Sequence, residues 1–194
     1  MSGKIKHPRE NALEVARELT ASLRDLCEPD RFIFAGSLRR LKPEVGDVEV
    51  VYVPIVQMLP DPNDLLGNPV PTVMFDVMLD DWLRRGVISK RVGEKGGTAW
   101  GYMNKMAMHT ASGIGIDFFQ ATKRNFWSLL VCRTGSMESN TRVCMAANKM
   151  GQTWNPYRGF EDRLTHVLLF VPESEEALFN HVRLPYLQPR DRVS

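Results

Sequence analysis

The sequence predicts an α/β fold with a mixed β-sheet flanked by helices, followed by a smaller α/β subdomain. Apolar residues recur at spacings of three and four over residues 9–27, which is the period of an amphipathic helix. Short runs of β-branched and aromatic residues predict buried strands at residues 32–35, 47–53 and 114–119. Helical patterns then return at residues 126–131 and 138–150, where Gly151 ends the last helix.

The elements between these predicted helices and strands follow from local sequence signals. The first helix must end before Pro29. Residues 54–71 carry five prolines and turn dipeptides, and we expect a loop there. Residues 73–85 favour a helix with an apolar side formed by Phe75, Met78, Leu79 and Trp82. Alternating apolar residues from 100 to 106 predict a strand, which a turn at residues 112–113 joins to the strand at 114–119.

Length and composition limit the class of protein. A chain of 194 residues with 43% apolar composition supports one compact domain or two small ones. No apolar run approaches the roughly 20 residues that span a bilayer, and residues 1–8 lack the centre of a signal peptide. We therefore expect a cytoplasmic protein without a membrane partner. Cys27, Cys132 and Cys144 form neither a disulfide framework nor a zinc motif and are expected to be buried or incidental thiols.

Two acidic residues one position apart carry most of the functional information. Asp47 and Glu49 project from one face of a predicted strand, with their bases about 6.6 to 7 Å apart, because side chains alternate along a strand. Upstream, Gly36 and Ser37 follow an apolar strand, as expected where backbone amides turn towards a phosphate. This order suggests nucleotidyl transfer with two metal ions roughly 3.5 to 4 Å apart.

A structural interpretation of the same residues is also open. Acidic residues between valines are typical of the solvated face of an edge strand, and Gly-Ser is common in turns. A third acid, Asp117, lies in a strand of apolar neighbours, where a carboxylate is costly unless a positive charge compensates it. A metal site is the simplest compensation.

These residues resemble the ordered signature of family X DNA polymerases, the polymerase beta group of nucleotidyltransferases. The resemblance covers about residues 30 to 194 and rests on Gly36-Ser37-Leu38-Arg39-Arg40, Gly46-Asp47-Val48-Glu49, Ile116-Asp117-Phe118-Phe119, Arg133-Thr134-Gly135-Ser136 with Asn140, and a tail around residues 174–192. The first two motifs mark the wider nucleotidyltransferase superfamily, and the Thr-Gly-Ser-x-x-x-Asn element narrows it. The resemblance implies a palm over residues 1–125, which includes the N-terminal helix, and a thumb over residues 126–194.

The resemblance also implies a role for each residue. Asp47 and Glu49 would hold two Mg²⁺ or Mn²⁺ ions, and Asp117 would join them and take the proton of an attacking 3′-hydroxyl. Nucleotide-binding residues would be Gly36, Ser37, Arg40 and Gly46 in the palm and Arg133, Thr134, Gly135, Ser136 and Asn140 in the thumb. For Arg40 an ion pair with Glu44 is the alternative, whereas for Arg39 an ion pair is the preferred interpretation.

The distribution of charge along the chain bears on its binding partners. Basic residues outnumber acidic ones by seven to three between residues 120 and 163. We expect Lys105, Arg142 and Lys149 to contact nucleic acid, with modest and salt-sensitive affinity. The chain shows neither the lyase domain nor the helix-hairpin-helix segment of larger relatives, so we expect weak DNA binding or a recruiting protein.

Four positions depart from the family pattern. Cys132 and Arg133 stand where the vertebrate repair enzymes carry an aromatic pair, Met137 replaces a common acid, and Cys144 replaces an arginine that contacts the template. The missing aromatic pair leaves discrimination between ribose and deoxyribose open, whereas Met137 and Cys144 imply weaker template dependence.

The sequence thus predicts an enzyme that adds a nucleoside monophosphate from an NTP or dNTP to a 3′-hydroxyl, with release of pyrophosphate. A DNA end is the expected acceptor. Two alternatives stay open: the same chemistry on RNA, protein or a small molecule, and a non-catalytic binding module that keeps the fold.

Overall fold

The computed structural model describes residues 5–61, 64–93 and 96–192 of the chain. In these ranges the helices are α1 (Arg9–Leu23), α2 (Gly36–Arg39), α3 (Met74–Arg85), α4 (Phe126–Thr134), α5 (Met137–Lys149) and α6 (Glu175–His181). The first strands are β1 (His7–Pro8), β2 (Cys27–Phe34), β3 (Glu44–Val45), β4 (Asp47–Pro54), β5 (Val56–Pro60) and β6 (Pro69–Val73). The later strands are β7 (Ile88–Lys90), β8 (Asn104–His109), β9 (Gly115–Gln120), β10 (Gln152–Asn155), β11 (Gly159–Asp162) and β12 (Leu168–Phe170).

A mixed five-stranded sheet organises the larger part of the molecule, in the order β2-β4-β9-β8-β7. β4 and β9 run parallel, and the other neighbouring pairs are antiparallel. This mixed sheet with flanking helices confirms the predicted fold class. Because β4 lies inside the sheet, Asp47 and Glu49 do not belong to the solvated face of an edge strand, which removes the structural interpretation of that motif.

Both faces of the sheet are covered. Val48, Val50 and Tyr52 of β4 pack in a core with residues of α1 and α3. The alternate residues Val51 and Val53 pack in a second core with residues of α4. Burial on both faces explains why β4 is apolar almost throughout after its two acidic positions.

A third apolar core belongs to the C-terminal part of the chain. It joins α5, α6 and the antiparallel sheet β10-β11-β12 through Val143, Trp154, Phe160, Leu178 and Phe179. α4 contributes to this core and to the core beneath the large sheet, so the two parts share a helix. The boundary at residues 125 and 126 stays a prediction.

Three predicted elements need correction. Residues 54–71 do not form a loop throughout, because β5 and β6 pair as a hairpin from Val56↔Val73 to Pro60↔Pro69. In a two-stranded ladder each strand has an open edge, where a proline without an N–H group is tolerated. The strand predicted from residue 100 begins only at Asn104, and Tyr102 before it is exposed. The first helix ends at Leu23 and is followed by a short 3₁₀ turn.

None of the helices in the described ranges has the length and apolar character needed to cross a bilayer.

Candidate metal and nucleotide site

Three carboxylates meet where β4 and β9 run side by side. In the parallel register Glu49 lies opposite Asp117, and Asp47 lies opposite Gly115. Residues two apart on a strand share a face, so all three side chains point to the same side of the sheet. One oxygen from each carboxylate lies within 4.8 Å of the other two. Asp47 and Asp117 are buried, at 7% and 5% exposure.

Arg91, which the sequence analysis did not identify, contacts this cluster. Its guanidinium forms an ion pair with Asp117, and a second nitrogen lies 3.7 Å from the Asp47 carboxylate. A β-carbon at Gly115 would lie 2.5 Å from this guanidinium, so the glycine provides the space that Arg91 occupies. The protein itself therefore supplies part of the positive charge that offsets the buried carboxylates, and a metal ion need not supply all of it. No local periodicity marks Arg91, because it follows a three-residue strand at the far edge of the sheet.

The turn at Gly36 requires glycine for two reasons. Its φ of +60° lies in the left-handed region, and a β-carbon there would overlap the carboxylate of Glu49. The phosphate turn predicted from sequence and the carboxylate cluster are therefore in direct contact. α2 starts at this glycine and contains Ser37 and Arg39, and Arg40 is its C-terminal cap.

A second turn, at the junction of α4 and α5, lies close to the Gly36 turn. The Arg40 guanidinium donates a hydrogen bond to the carbonyl of Thr134, and a β-carbon at Gly135 would lie 3.2 Å from the same guanidinium. The peptide bond between Gly135 and Ser136 is cis. Burial lowers the pKa of Arg40, and the Glu49 carboxylate opposes that shift. Arg40 thus joins the two turns, and no hydrogen bond to Glu44 is found among the described residues.

One cavity of about 410 Å³ brings most of the predicted residues together. It is lined by Gly36, Ser37, Arg40, Gly46, Asp47, Glu49, Arg133, Gly135 and Asn140, all predicted, and by Lys6, Cys132 and Met137. Two carboxylates of the cluster lie on its wall together with three cationic side chains. The cavity therefore offers ligands both for a divalent cation and for an anionic group.

Two side chains from the α4–α5 region of the cavity keep unused hydrogen-bonding groups. Arg133 stacks its guanidinium on the ring of Phe119, 3.8 Å from the centroid, and its Nε is buried without a hydrogen-bond partner. Asn140 donates from Nδ2 to the Cys132 carbonyl at 2.7 Å, and its Oδ1 is buried without a donor. A buried acceptor of this kind is costly until a donor reaches it.

Thr134 and Ser136, also predicted to bind nucleotide, do not line this cavity. Thr134 is fully buried and its hydroxyl accepts a hydrogen bond from Arg39 at 2.8 Å. Ser136 caps α5, accepting from the Ser139 amide at 3.3 Å. Their side chains hold the turn in place, so a direct nucleotide contact through either side chain stays a prediction.

A buried ion network fixes the two halves of the cavity. Arg39 donates to both oxygens of Glu175 at 2.8 Å, and Arg192 donates to the same carboxylate at 3.0 Å. Burial alone would raise the pKa of Glu175, but hydrogen bonds and charge from the two arginines hold it below its usual value. Arg39 thus forms an ion pair, as its sequence context suggested, but a buried one between α2 and α6.

The structure places Lys105 away from the carboxylates, which corrects its predicted role. Met106 lies opposite Asp117, so its neighbour Lys105 points to the other face of the sheet. There its buried ammonium pairs with Asp76 of α3 at 3.0 Å. This position does not support the predicted contact with template or primer phosphate.

Arg142 and Lys149 lie on the side of α5 that faces away from the cavity. At 3.6 residues per turn, Arg142 is about 200° around the helix from Asn140, and Lys149 is close to Arg142 in angle. Both line a separate groove together with Arg183. Their predicted contact with nucleic acid stays a prediction.

The donor set suits a hard divalent cation. Carboxylate oxygens are the ligands that Mg²⁺ and Mn²⁺ prefer, and the cluster contains neither histidine nor cysteine. Arg91 carries one positive charge beside three carboxylates. Asp47, Glu49 and Asp117 are therefore the residues that would hold such an ion.

Comparison with known proteins supports the fold and does not define a family. No protein-family model matches the sequence, and no curated protein matches it. Among solved structures, the chain is similar to Leishmania infantum polymerase beta in a ternary P/T complex, with a TM-score of 0.73 and 17% sequence identity. The match covers 98% of this chain and 77% of that one. The chain therefore has a polymerase beta-like fold.

Proposed function

We propose that this protein is a metal-dependent nucleotidyltransferase of the polymerase beta type, which transfers a nucleoside monophosphate from an NTP or dNTP to a 3′-hydroxyl. The observation that carries the proposal is the single cavity in which Asp47 and Glu49 face Arg40, Arg133 and Lys6, with Asp117 beside them. A nucleoside triphosphate with its metal needs this combination of anionic and cationic ligands.

The cationic side of the cavity binds the triphosphate in this proposal. Arg40 offers a forked guanidinium next to the Gly36 turn, and Ser37 offers a hydroxyl. The thumb side holds the sugar and base, where the unpartnered Oδ1 of Asn140 accepts a hydrogen bond from the ligand. Stacking on Phe119 keeps Arg133 at the wall of the cavity, where it adds positive charge.

The carboxylate side carries the chemistry. The 3′-oxygen forms a bond to the α-phosphorus, the bond from that phosphorus to the bridging oxygen breaks, and pyrophosphate leaves. A carboxylate oxygen of Asp117 takes the hydroxyl proton. Divalent cations held by Asp47, Glu49 and Asp117 would neutralise charge that develops on the phosphate oxygens. Arg40 offsets the charge of the leaving pyrophosphate.

A DNA 3′ end is the acceptor we propose. The similar solved structure is a polymerase beta in a ternary P/T complex, which favours a nucleic-acid acceptor. The net charge of +2 and the neutral Cys144 favour weak binding, so the proposal includes a recruiting protein or another source of local concentration.

Nucleotide transfer with matched variants tests this proposal. The purified protein is incubated with labelled dNTP or NTP, with Mg²⁺ or Mn²⁺, and with primed DNA, single strands, RNA or a protein mixture. We expect label on primed or gapped DNA, lost by more than about 100-fold in Asp117→Ala, because even outer-shell metal partners are worth 10- to 100-fold. Asp80→Ala is the control, since Asp80 is an exposed carboxylate on α3.

The outcomes separate the alternatives. Label on RNA, protein or a small molecule would keep the chemistry and replace the acceptor. Full activity of Asp117→Ala would show that the third carboxylate has been misassigned. No label on any acceptor, with a folded protein, would leave a binding module with this fold.

A further inference from the structure

The groove on the outer side of α5 is a site that the proposed function does not use. Its volume is about 480 Å³, and it lies between α5 and the segment that follows α6. Three cationic side chains line it, Arg142, Lys149 and Arg183, together with the apolar Met145, Val182 and Leu184. No acidic residue lines the groove, and none of the three cations forms an ion pair within the described ranges.

The complementary surface is the end of the β5–β6 hairpin of the same chain. Leu65 and Leu66 are 105% and 86% exposed, although leucines pack inside most proteins. Asp61 and Asp64 are the charged residues between positions 54 and 73, so this segment carries charge −2 and no base. Adjacent, fully exposed leucines are typical of a contact surface.

The described part of the hairpin end is held in shape before it meets a partner. The Asp64 carboxylate accepts hydrogen bonds from the amides of Leu66 at 2.9 Å and Asn68 at 3.2 Å. The Asp61 amide donates to the Asn68 carbonyl at 3.0 Å. Because these bonds exist in the free chain, docking of the leucines requires little further ordering.

We propose that the groove binds the hairpin of a second copy of this chain. Leu65 and Leu66 enter the apolar floor formed by Met145, Val182 and Leu184, and Asp61 and Asp64 meet the three cations at the rim. Charge −2 meets charge +3, and the groove volume accommodates two leucine side chains. The contact is independent of the proposed catalytic chemistry.

Nucleic acid fits the groove less well than the hairpin. The groove lies on the opposite side of α5 from Asn140, and its lining contains no aromatic side chain on which a base could stack. Its apolar floor offers nothing to a phosphate backbone. Nucleic-acid binding is nevertheless an outcome that the experiment must be able to show.

The geometry of the contact predicts how the protein should associate in solution. Hairpin and groove are different surfaces, so the association is head-to-tail, and a pair of copies keeps one free hairpin on one copy and one free groove on the other. The contact is small compared with standard interfaces, so association is weak and rises with concentration. The average mass should therefore increase beyond that of a dimer without a fixed end point.

Sedimentation velocity on the full chain and two variants tests this directly. The hairpin variant Leu65→Ser/Leu66→Ser keeps its groove, and the groove variant Arg142→Glu/Lys149→Glu keeps its hairpin. We expect each variant alone to associate at least about tenfold more weakly than the native chain, since one buried leucine alone is worth about that much. Mixed together, the two variants should form a 1:1 dimer and no larger species.

Control variants make the result specific. All substituted residues are at the surface, and circular dichroism with thermal unfolding verifies that each variant folds. Leu164→Ser, at an 89% exposed leucine of another loop, should associate as the native chain does. Asp61→Lys, which keeps the Asp64 carboxylate that holds the turn, should restore part of the binding when it is mixed with the groove variant, because the charges are then reversed on both surfaces.

Several results would overturn the proposal. A native chain that stays monomeric up to about 1 mM would exclude it, since even weak docking has a dissociation constant near that value. Unchanged association of the hairpin variant, or no dimer in the mixture, would also exclude it. If the groove variant instead loses DNA affinity and shows a smaller salt slope while the native chain is monomeric, the groove binds nucleic acid.

Discussion

Replacing Arg91 by alanine tests how the protein stabilises three clustered carboxylates. Arg91 pairs with Asp117 and lies 3.7 Å from Asp47, and the two acidic side chains are 7% and 8% exposed. Removing one partner of a buried ion pair costs about 3 to 5 kcal/mol, because the remaining charge stays buried after its partner is lost. For a chain of this length, about 1 kcal/mol shifts the unfolding temperature by about 2 to 4 °C. We therefore expect Arg91→Ala in EDTA to unfold about 6 to 20 °C below the native protein.

Divalent metal should reverse much of this loss. A ligand at 100 times its dissociation constant stabilises the folded state by about 2.7 kcal/mol, or about 5 to 11 °C here. Since Arg91 competes with metal for the same oxygens, we expect Arg91→Ala to bind Mn²⁺ at least about tenfold more tightly than the native protein. Thermal unfolding and a calorimetric Mn²⁺ titration measure the two effects separately, and neither depends on activity.

The matched control for this variant is Arg84→Ala. Arg84 pairs with Asp81 at 3.1 Å, but its side chain is 75% exposed, so its loss should cost no more than about 1 kcal/mol. The reasoning is refuted if Arg91→Ala in EDTA is as stable as the native protein within about 0.5 kcal/mol. It is also refuted if the variant binds Mn²⁺ more weakly than the native protein.

Three further predictions concern other parts of the molecule. The pKa of Glu175 is lower in the folded state than its unfolded value near 4.5, so the carboxylate stabilises the fold above that value and loses this effect as pH falls through the folded pKa. Glu175→Gln should therefore lower the free energy of unfolding at pH 7 by about 3 to 5 kcal/mol. Urea unfolding at a series of pH values should also show a weaker loss of stability in acid for this variant than for the native protein. Burial raises the pKa of Cys27 to about 12, so its thiol should react slowly with iodoacetamide at pH 8. Peptide mass spectrometry should show that the exposed Cys144 is alkylated first, and equal rates at the two cysteines would contradict this. Gly36→Ala should displace Glu49 and lower Mn²⁺ affinity by at least about tenfold in a calorimetric titration, with unchanged affinity as the contrary result.

Local patterns in the sequence predicted the elements that carry the carboxylates. Period-two alternation placed Asp47 and Glu49 on one face of a strand, and that placement depends only on neighbouring residues. Their meeting with Asp117 depends on β4 and β9 pairing in parallel with Glu49 opposite Asp117. No spacing along the chain specifies that register, and the family resemblance alone suggested it.

Sequence patterns do not predict the features that depend on long-range pairing. Arg91 reaches Asp117 from the far edge of the sheet, and a single cation after a short strand carries no periodic signal. The position of Lys105 before the Asp117 strand predicts a contact with nucleic acid, but the pairing of Met106 with Asp117 turns Lys105 to the opposite face of the sheet. The hairpin of β5 and β6 was missed because its prolines usually argue against strands, and only an edge accommodates them.

The C-terminal part of the chain forms one wall of the cavity next to the carboxylates of the sheet. The two walls of the cavity come from residues 36–49 and 132–140, which are about 90 positions apart in sequence. Arg39 joins them, because it donates both to Thr134 at the second wall and to Glu175 of α6. Since Glu175 also accepts from the fully buried Arg192, the separation of the walls depends on a residue near the end of the described chain. Arg40 interacts with Glu49 and with the Thr134 carbonyl, so we expect its position to depend on that distant network.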